Sequence, residues 1–141
     1  MDIDHVVLWV EDVRRALDFY TNVVGLLPVR RDEYLAGSAP FPSVRVSERS
    51  ILDLMPAEAA PVVAQFSGEK TPTAAGRPIN HVCLAMDPSE LDALAARLAS
   101  AGVETRTAGN PSFGARGNTT RWFYFQDPDG NVLEARAYAA G

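Results

Sequence analysis

A chain of 141 residues that is 47% hydrophobic and 22% charged suits one domain, or two very small modules sharing a core, and is too apolar to be disordered. It has no run of about 18 apolar residues to span a membrane and shows no basic-then-apolar signal region, so a cytoplasmic protein is expected. The formal net charge of −5 leaves no basic excess for nucleic acid, and the single cysteine, Cys83, excludes both a disulfide framework and a cysteine-built zinc site.

In chain order, residues 3–8 (Ile-Asp-His-Val-Val-Leu) open an apolar strand pattern around His5. Val13, Ala16, Leu17 and Tyr20 follow at helical spacing, and Gly25 suits a left-handed helix end. Strands are expected over residues 27–31, 43–47 and 50–55. Residues 56–78 hold four prolines (56, 61, 72 and 78) among Ala, Ser and Gly, which reads as a linker. The pattern then restarts. Residues 79–84 (Ile-Asn-His-Val-Cys-Leu) repeat the opening 76 positions later, centred on His81. Asp87, Pro88 and Glu90 form a helix start with capping-box spacing; Leu91, Leu94, Ala95 and Leu98 form the apolar stripe, and Gly102 ends it. Strands are expected over 103–107, 119–126 and 131–138. The chain is thus two βαβββ modules, 1–55 and 79–141, joined by 56–78.

The two histidines of the chain occupy equivalent places in the two copies. The last strand of each copy carries a carboxylate between apolar neighbours: Asp53, 48 residues after His5, and Glu134, 53 residues after His81. Each residue alone fits a bland reading, as a structural histidine or a solvent-facing acid. Together, one histidine and one carboxylate per copy point to a metal site, and the absence of cysteine ligands points to a catalytic one.

The repeat resembles the vicinal oxygen chelate superfamily, which includes glyoxalase I, extradiol dioxygenases and bleomycin-resistance proteins. The resemblance rests on Asp4-His5-Val6, on Ala16-Leu17-Asp18-Phe19-Tyr20 with Val24-Gly25-Leu26, and above all on Tyr124-Phe125-Gln126-Asp127-Pro128-Asp129-Gly130-Asn131-Val132-Leu133-Glu134. It implies an α+β fold of cupped mixed β-sheets with a divalent metal (Zn, Ni, Mn, Co or Fe(II)). His5, His81 and Glu134 are its implied ligands. A fourth ligand, a glutamate in glyoxalase-like members, falls at Asp53, one methylene shorter. The implied chemistry is proton transfer of the glyoxalase, lyase or isomerase type. Glu134 is the natural base and Asp53 its partner. The resemblance also implies a homodimer.

The Asp127–Gly130 segment fits a type I turn followed by a left-handed glycine, which sets Tyr124 opposite Glu134. Alternation then places Trp122 and Thr120 on the same face, as a wall for a small, partly aromatic substrate, with Phe123 and Phe125 facing the core. The loop 109–118 reads as a lid or substrate edge. Arg116, Arg45 and, less so, Arg121 are candidates to pair with a ligand anion; the alternative for each is a solvated arginine or a surface ion pair. An Fe(II) ring-cleaving dioxygenase with His5, His81 and Glu134 as its triad is one alternative, and the lack of further acid–base histidines and the short chain count against it. A metal-free drug-binding protein is the alternative from a different class.

Overall fold

The structure, a computed structural model, describes residues 3, 5–62, 81–107, 111–114 and 116–138. The chain divides into two compact units, Met1–Pro78 and Ile79–Gly141. It is a mixed α+β protein, with one mixed sheet in each unit.

The sheet of the first unit has four strands: β1 (His5–Val10), β2 (Leu27–Val29), β3 (Ser43–Ser47) and β4 (Ser50–Pro56), in the order β1-β4-β3-β2. β1 lies parallel to β4, and the other pairs are antiparallel. Alternation divides the residues by face. Leu8, Val10, Val44, Leu52 and Leu54 are buried, and α1 (Val13–Asp18) packs on β4 with Val13, Ala16 and Leu17 buried. Asp12 caps α1 by accepting from the Arg15 N–H at 3.0 Å. The helix widens into a π-helical segment, Phe19–Val24, where the Thr21 hydroxyl donates to the Leu17 carbonyl at 2.8 Å. Gly25 closes it at φ 91°, the left-handed position anticipated from the sequence.

The sheet of the second unit has the order β5-β9-β8, from β5 (Val82–Met86), β8 (Trp122–Gln126) and β9 (Val132–Ala137). β5 is parallel to β9, and β8 is antiparallel to it. A short hairpin of β6 (Ser112–Gly114) and β7 (Gly117–Thr119) stands apart as its own ladder. With α2 (Arg31–Leu35) in the first unit, the helix of the second unit is α3 (Pro88–Ser100). It begins with the Asp87–Glu90 capping box and buries Leu91, Leu94 and Leu98. In the β8–β9 turn, Gly130 has φ 78° and Asp127 N–H donates to the Asn131 carbonyl at 3.0 Å, which sets the register Tyr124↔Glu134.

Several boundaries differ from the expectation. The strand expected over 27–31 stops at Val29, because Arg30 takes φ 57° and turns the chain into α2. The strand expected over 103–107 reduces to a single bridge, Arg106↔Tyr124; its polar, exposed residues bury little that would extend a ladder. The strand expected over 119–126 is interrupted at Thr120–Arg121, where the Thr119 hydroxyl accepts the Arg121 N–H at 3.1 Å. The loop expected over 109–118 contains β6 and most of β7; residues 109, 110 and 115 lie outside the described residues, as do 63–78 of the expected linker. β4 itself continues through Pro56, one residue into that linker.

Candidate functional site

In the first unit, the register pairs His5 with Ile51 and Val7 with Asp53, so His5 and Asp53 share the sheet face opposite the helix-covered one. The face follows from parity. His5 and Val7 are two residues apart, as are Ile51 and Asp53. Asp53 is only 7% exposed. Its Oδ1 accepts a 2.6 Å hydrogen bond from the Ser43 hydroxyl, its direct partner across β3–β4. Arg45, also on β3, donates instead to the Ser47 and Glu48 carbonyls of the adjoining turn, at 3.2 and 3.3 Å.

The second unit builds a denser arrangement at the corresponding place. Glu134 is 3% exposed and pairs in register with Cys83 on one side and Tyr124 on the other. Its Oε2 lies 3.2 Å from Nε2 of His81, which immediately precedes β5. Its Oε1 accepts from Arg136, through Nε at 3.1 Å and Nη2 at 2.5 Å, and from the Ser112 hydroxyl at 3.2 Å. Arg136 is 2% exposed, donates also to the Ser112 hydroxyl, and gives Nη1 to the Tyr138 hydroxyl at 3.1 Å. A buried carboxylate is costly unless it is paired and hydrogen-bonded. Here an arginine two residues along the same strand face supplies the charge.

Arg136, Ser112 and Tyr138 are the members the sequence reading missed. For Arg136 a signal existed: the spacing Glu134-x-Arg136 in a strand puts both side chains on one face. Nothing in the sequence announces Ser112, which arrives from the separate β6–β7 hairpin. The cluster imposes its charges on its neighbours. Burial, and after it the Glu134 charge, pushes the Cys83 thiol and the Tyr124 phenol upward. The hydrogen bond from Arg136 pulls the Tyr138 phenol downward. For the guanidinium itself, burial disfavours the charge, but the bonds to Tyr138 and Glu134 outweigh it.

Around this cluster, Trp122 and Tyr124 meet edge to face with centroids 5.2 Å apart, and the His81 ring meets Tyr124 at the same separation. Phe125 is buried and Phe123 half-buried on the other face. Thr120 falls at the break between β7 and β8 and is exposed, so the alternation that aligns Trp122 with Tyr124 does not extend to it. Arg116 is exposed and stacks its guanidinium 4.3 Å from the Tyr138 ring centroid. Arg121 forms an ion pair with Asp92 of α3, the surface role weighed for it. A cleft of about 320 Å³ runs along β8, lined by Val103, Glu104, Arg106, Tyr124, Gln126 and Val132, so Tyr124 belongs both to the cleft and to the Glu134 cluster.

The family model described as glyoxalase/bleomycin resistance protein/dioxygenase superfamily matches residues 2–135. The chain belongs to that superfamily. No curated protein matches the sequence. Among solved structures, the superfamily fold is shared with a glyoxalase/dioxygenase from Nostoc punctiforme (22% identity, TM-score 0.67, covering 99% of this chain and 92% of that one). It is shared too with a lactoylglutathione lyase from Agrobacterium tumefaciens (20% identity, TM-score 0.63, 96% and 92% covered). A third is an antibiotic-binding protein from a Streptomyces strain (22% identity, TM-score 0.65, 99% and 97% covered). At these identities the likeness concerns the fold.

Superfamily members often hold a divalent metal. Among the described residues, no three His, Cys, Asp or Glu side chains gather in one place. One pair does. Two ligands each about 2.1 Å from a shared ion stand roughly 3.0–3.4 Å apart in octahedral or tetrahedral geometry, and His81 Nε2 and Glu134 Oε2 are 3.2 Å apart. The other oxygen of each carboxylate, Oε1 of Glu134 and Oδ1 of Asp53, is already held by protein donors, as ligating carboxylates commonly are. The donor types and this spacing fit a divalent ion.

Proposed function

We propose that this chain is a divalent-metal-dependent enzyme of the lyase or isomerase type, acting on a small oxygen-bearing substrate. The observation that carries the reading is the His81–Glu134 pair at 3.2 Å, with one carboxylate oxygen fixed by Arg136 and Ser112 and the other facing the imidazole. In this reading His81 and Glu134 would hold the ion, and His5 and Asp53, which share one face of the first unit's sheet, are the further ligands that the resemblance implies. A divalent ion held there supplies Lewis acidity toward negative charge developing on substrate oxygens. Glu134 would be the group that accepts the proton next to a carbonyl, with Asp53 as its partner. Trp122 and Tyr124 flank an apolar or aromatic substrate body, with Arg116 as a further contact. The reading includes a homodimer acting in the cytoplasm, checked by light scattering of the purified chain. The deciding experiment is elemental analysis of protein purified without chelator, followed by assays of stripped and reconstituted protein on hemithioacetals and other α-oxo substrates. Stoichiometric metal and activity restored by Ni, Zn, Mn or Fe(II) are the expected results. No metal and no rescue would sink the reading.

A second reading, a metal-free binding protein for an aromatic compound, is favoured by one observation. The buried Arg136 already neutralises Glu134, so the cluster is satisfied without a cation. Under it, Trp122 fluorescence responds to aromatic ligands equally with and without a chelator.

A further inference from the structure

The two units place a carboxylate at the same register position, but the residue two further along the strand differs. Two residues after Asp53 stands Met55; two residues after Glu134 stands Arg136. From this difference we infer that Arg136 is a positioning residue that confines Glu134 to a single ligand oxygen and holds the site's affinity for divalent cations down. The inference rests on the metal-dependent reading above and names how that site is regulated.

The first half follows from the hydrogen bonds. Nε and Nη2 of Arg136 both go to Oε1, Ser112 adds a third donor there, and Nη1 is occupied by Tyr138. The guanidinium is thus tied at each of its three nitrogens and almost fully buried, so it cannot swing away without breaking the cluster. Glu134 then cannot chelate through both oxygens, and Oε2, facing His81, is the one that remains.

The second half follows from charge. An arginine stays protonated in a protein. A fixed positive charge on the far side of a ligating carboxylate repels a doubly charged ion through a partly buried, weakly screening medium. Holding the carboxylate in place favours binding by no more than the rotamer entropy of one glutamate side chain. Arg136 therefore trades metal affinity for a fixed, one-oxygen ligand.

The test is calorimetric titration of Ni²⁺ into chelator-stripped wild type, Arg136→Gln and Arg136→Lys, with circular dichroism confirming that each is folded. Glutamine keeps a donor for Glu134 and removes the charge; lysine keeps the charge and loses the fork. The expected result is Ni²⁺ binding tighter by about tenfold or more in Arg136→Gln, and within a few-fold of wild type in Arg136→Lys. Should the glutamine variant fail to fold, the lysine variant still decides, because a tenfold tightening with the charge retained would overturn the inference. Unchanged or weaker binding in a folded Arg136→Gln overturns the inference and leaves the metal-dependent reading standing. Binding in Arg136→Gln but not in wild type supports the inference and overturns that reading for the native chain. No binding in any of the three overturns both.

Discussion

The two halves solve the same problem, a carboxylate on the inner strand of a sheet, in different ways. In the first, Asp53 sits opposite Val7 and accepts a hydrogen bond from the neutral Ser43 hydroxyl. In the second, Glu134 sits opposite Cys83 and is fixed by a buried guanidinium, a hydroxyl and an adjacent imidazole. Val7 and Cys83 are 76 residues apart, as are His5 and His81, so the register itself identifies Asp53 and Glu134 as counterparts. The position and the carboxylate are common to both halves. The surroundings differ, and with them the electrostatic dependence of each half on its own carboxylate.

The sharpest way to break that comparison is to remove each acid in turn. Glu134→Ala strands the buried Arg136 charge, and a loss of about 3–5 kcal/mol is expected. Asp53→Ala leaves the neutral Ser43 hydroxyl without its acceptor, for about 1–3 kcal/mol. Urea unfolding of both variants in the presence of chelator measures the two values; equal losses would erase the asymmetry. A smaller effect is expected of Ser112→Ala. Arg136 continues to hold Oε1, so the cost is about 1 kcal/mol, readable as a shift in unfolding midpoint at unchanged slope.

The smallest effect concerns pH. Burial and the Glu134 charge raise the Cys83 thiol above its ordinary value of 9.0, and Val7 at the counterpart position has nothing to titrate. The fold favours the protonated thiol. Its contribution to stability is therefore complete below the unfolded-state pKa and is lost as pH rises through the higher folded value. Alkylation of the native protein is expected to reach its midpoint above that of a free thiol. In Glu134→Gln the midpoint moves down; an unmoved midpoint removes Glu134 as a cause.

Much of this was legible in the sequence. The duplicated histidine segments, the α3 capping box and the Asp-Pro-Asp-Gly turn are local signals, and the turn fixes a register that places Tyr124 across from Glu134. The π-helical segment, α2 and the collapse of residues 103–107 to one bridge depend on how neighbouring elements pack, which no local spacing records. The same holds within the site. Arg136 was readable from strand alternation, whereas Ser112 is brought in by a hairpin whose docking only tertiary structure reveals. Arg45 shows the converse limit, since a candidate for ligand pairing spends its donors on the turn beside it.

The most direct test of the account is a Ni²⁺ titration of chelator-stripped wild type beside Glu134→Gln, a substitution that keeps the side chain's shape and removes its charge. The expected result is one ion bound per chain in wild type and at least about 100-fold weaker binding in the variant. Equal affinity in the two would contradict the assignment of Glu134 as a metal ligand.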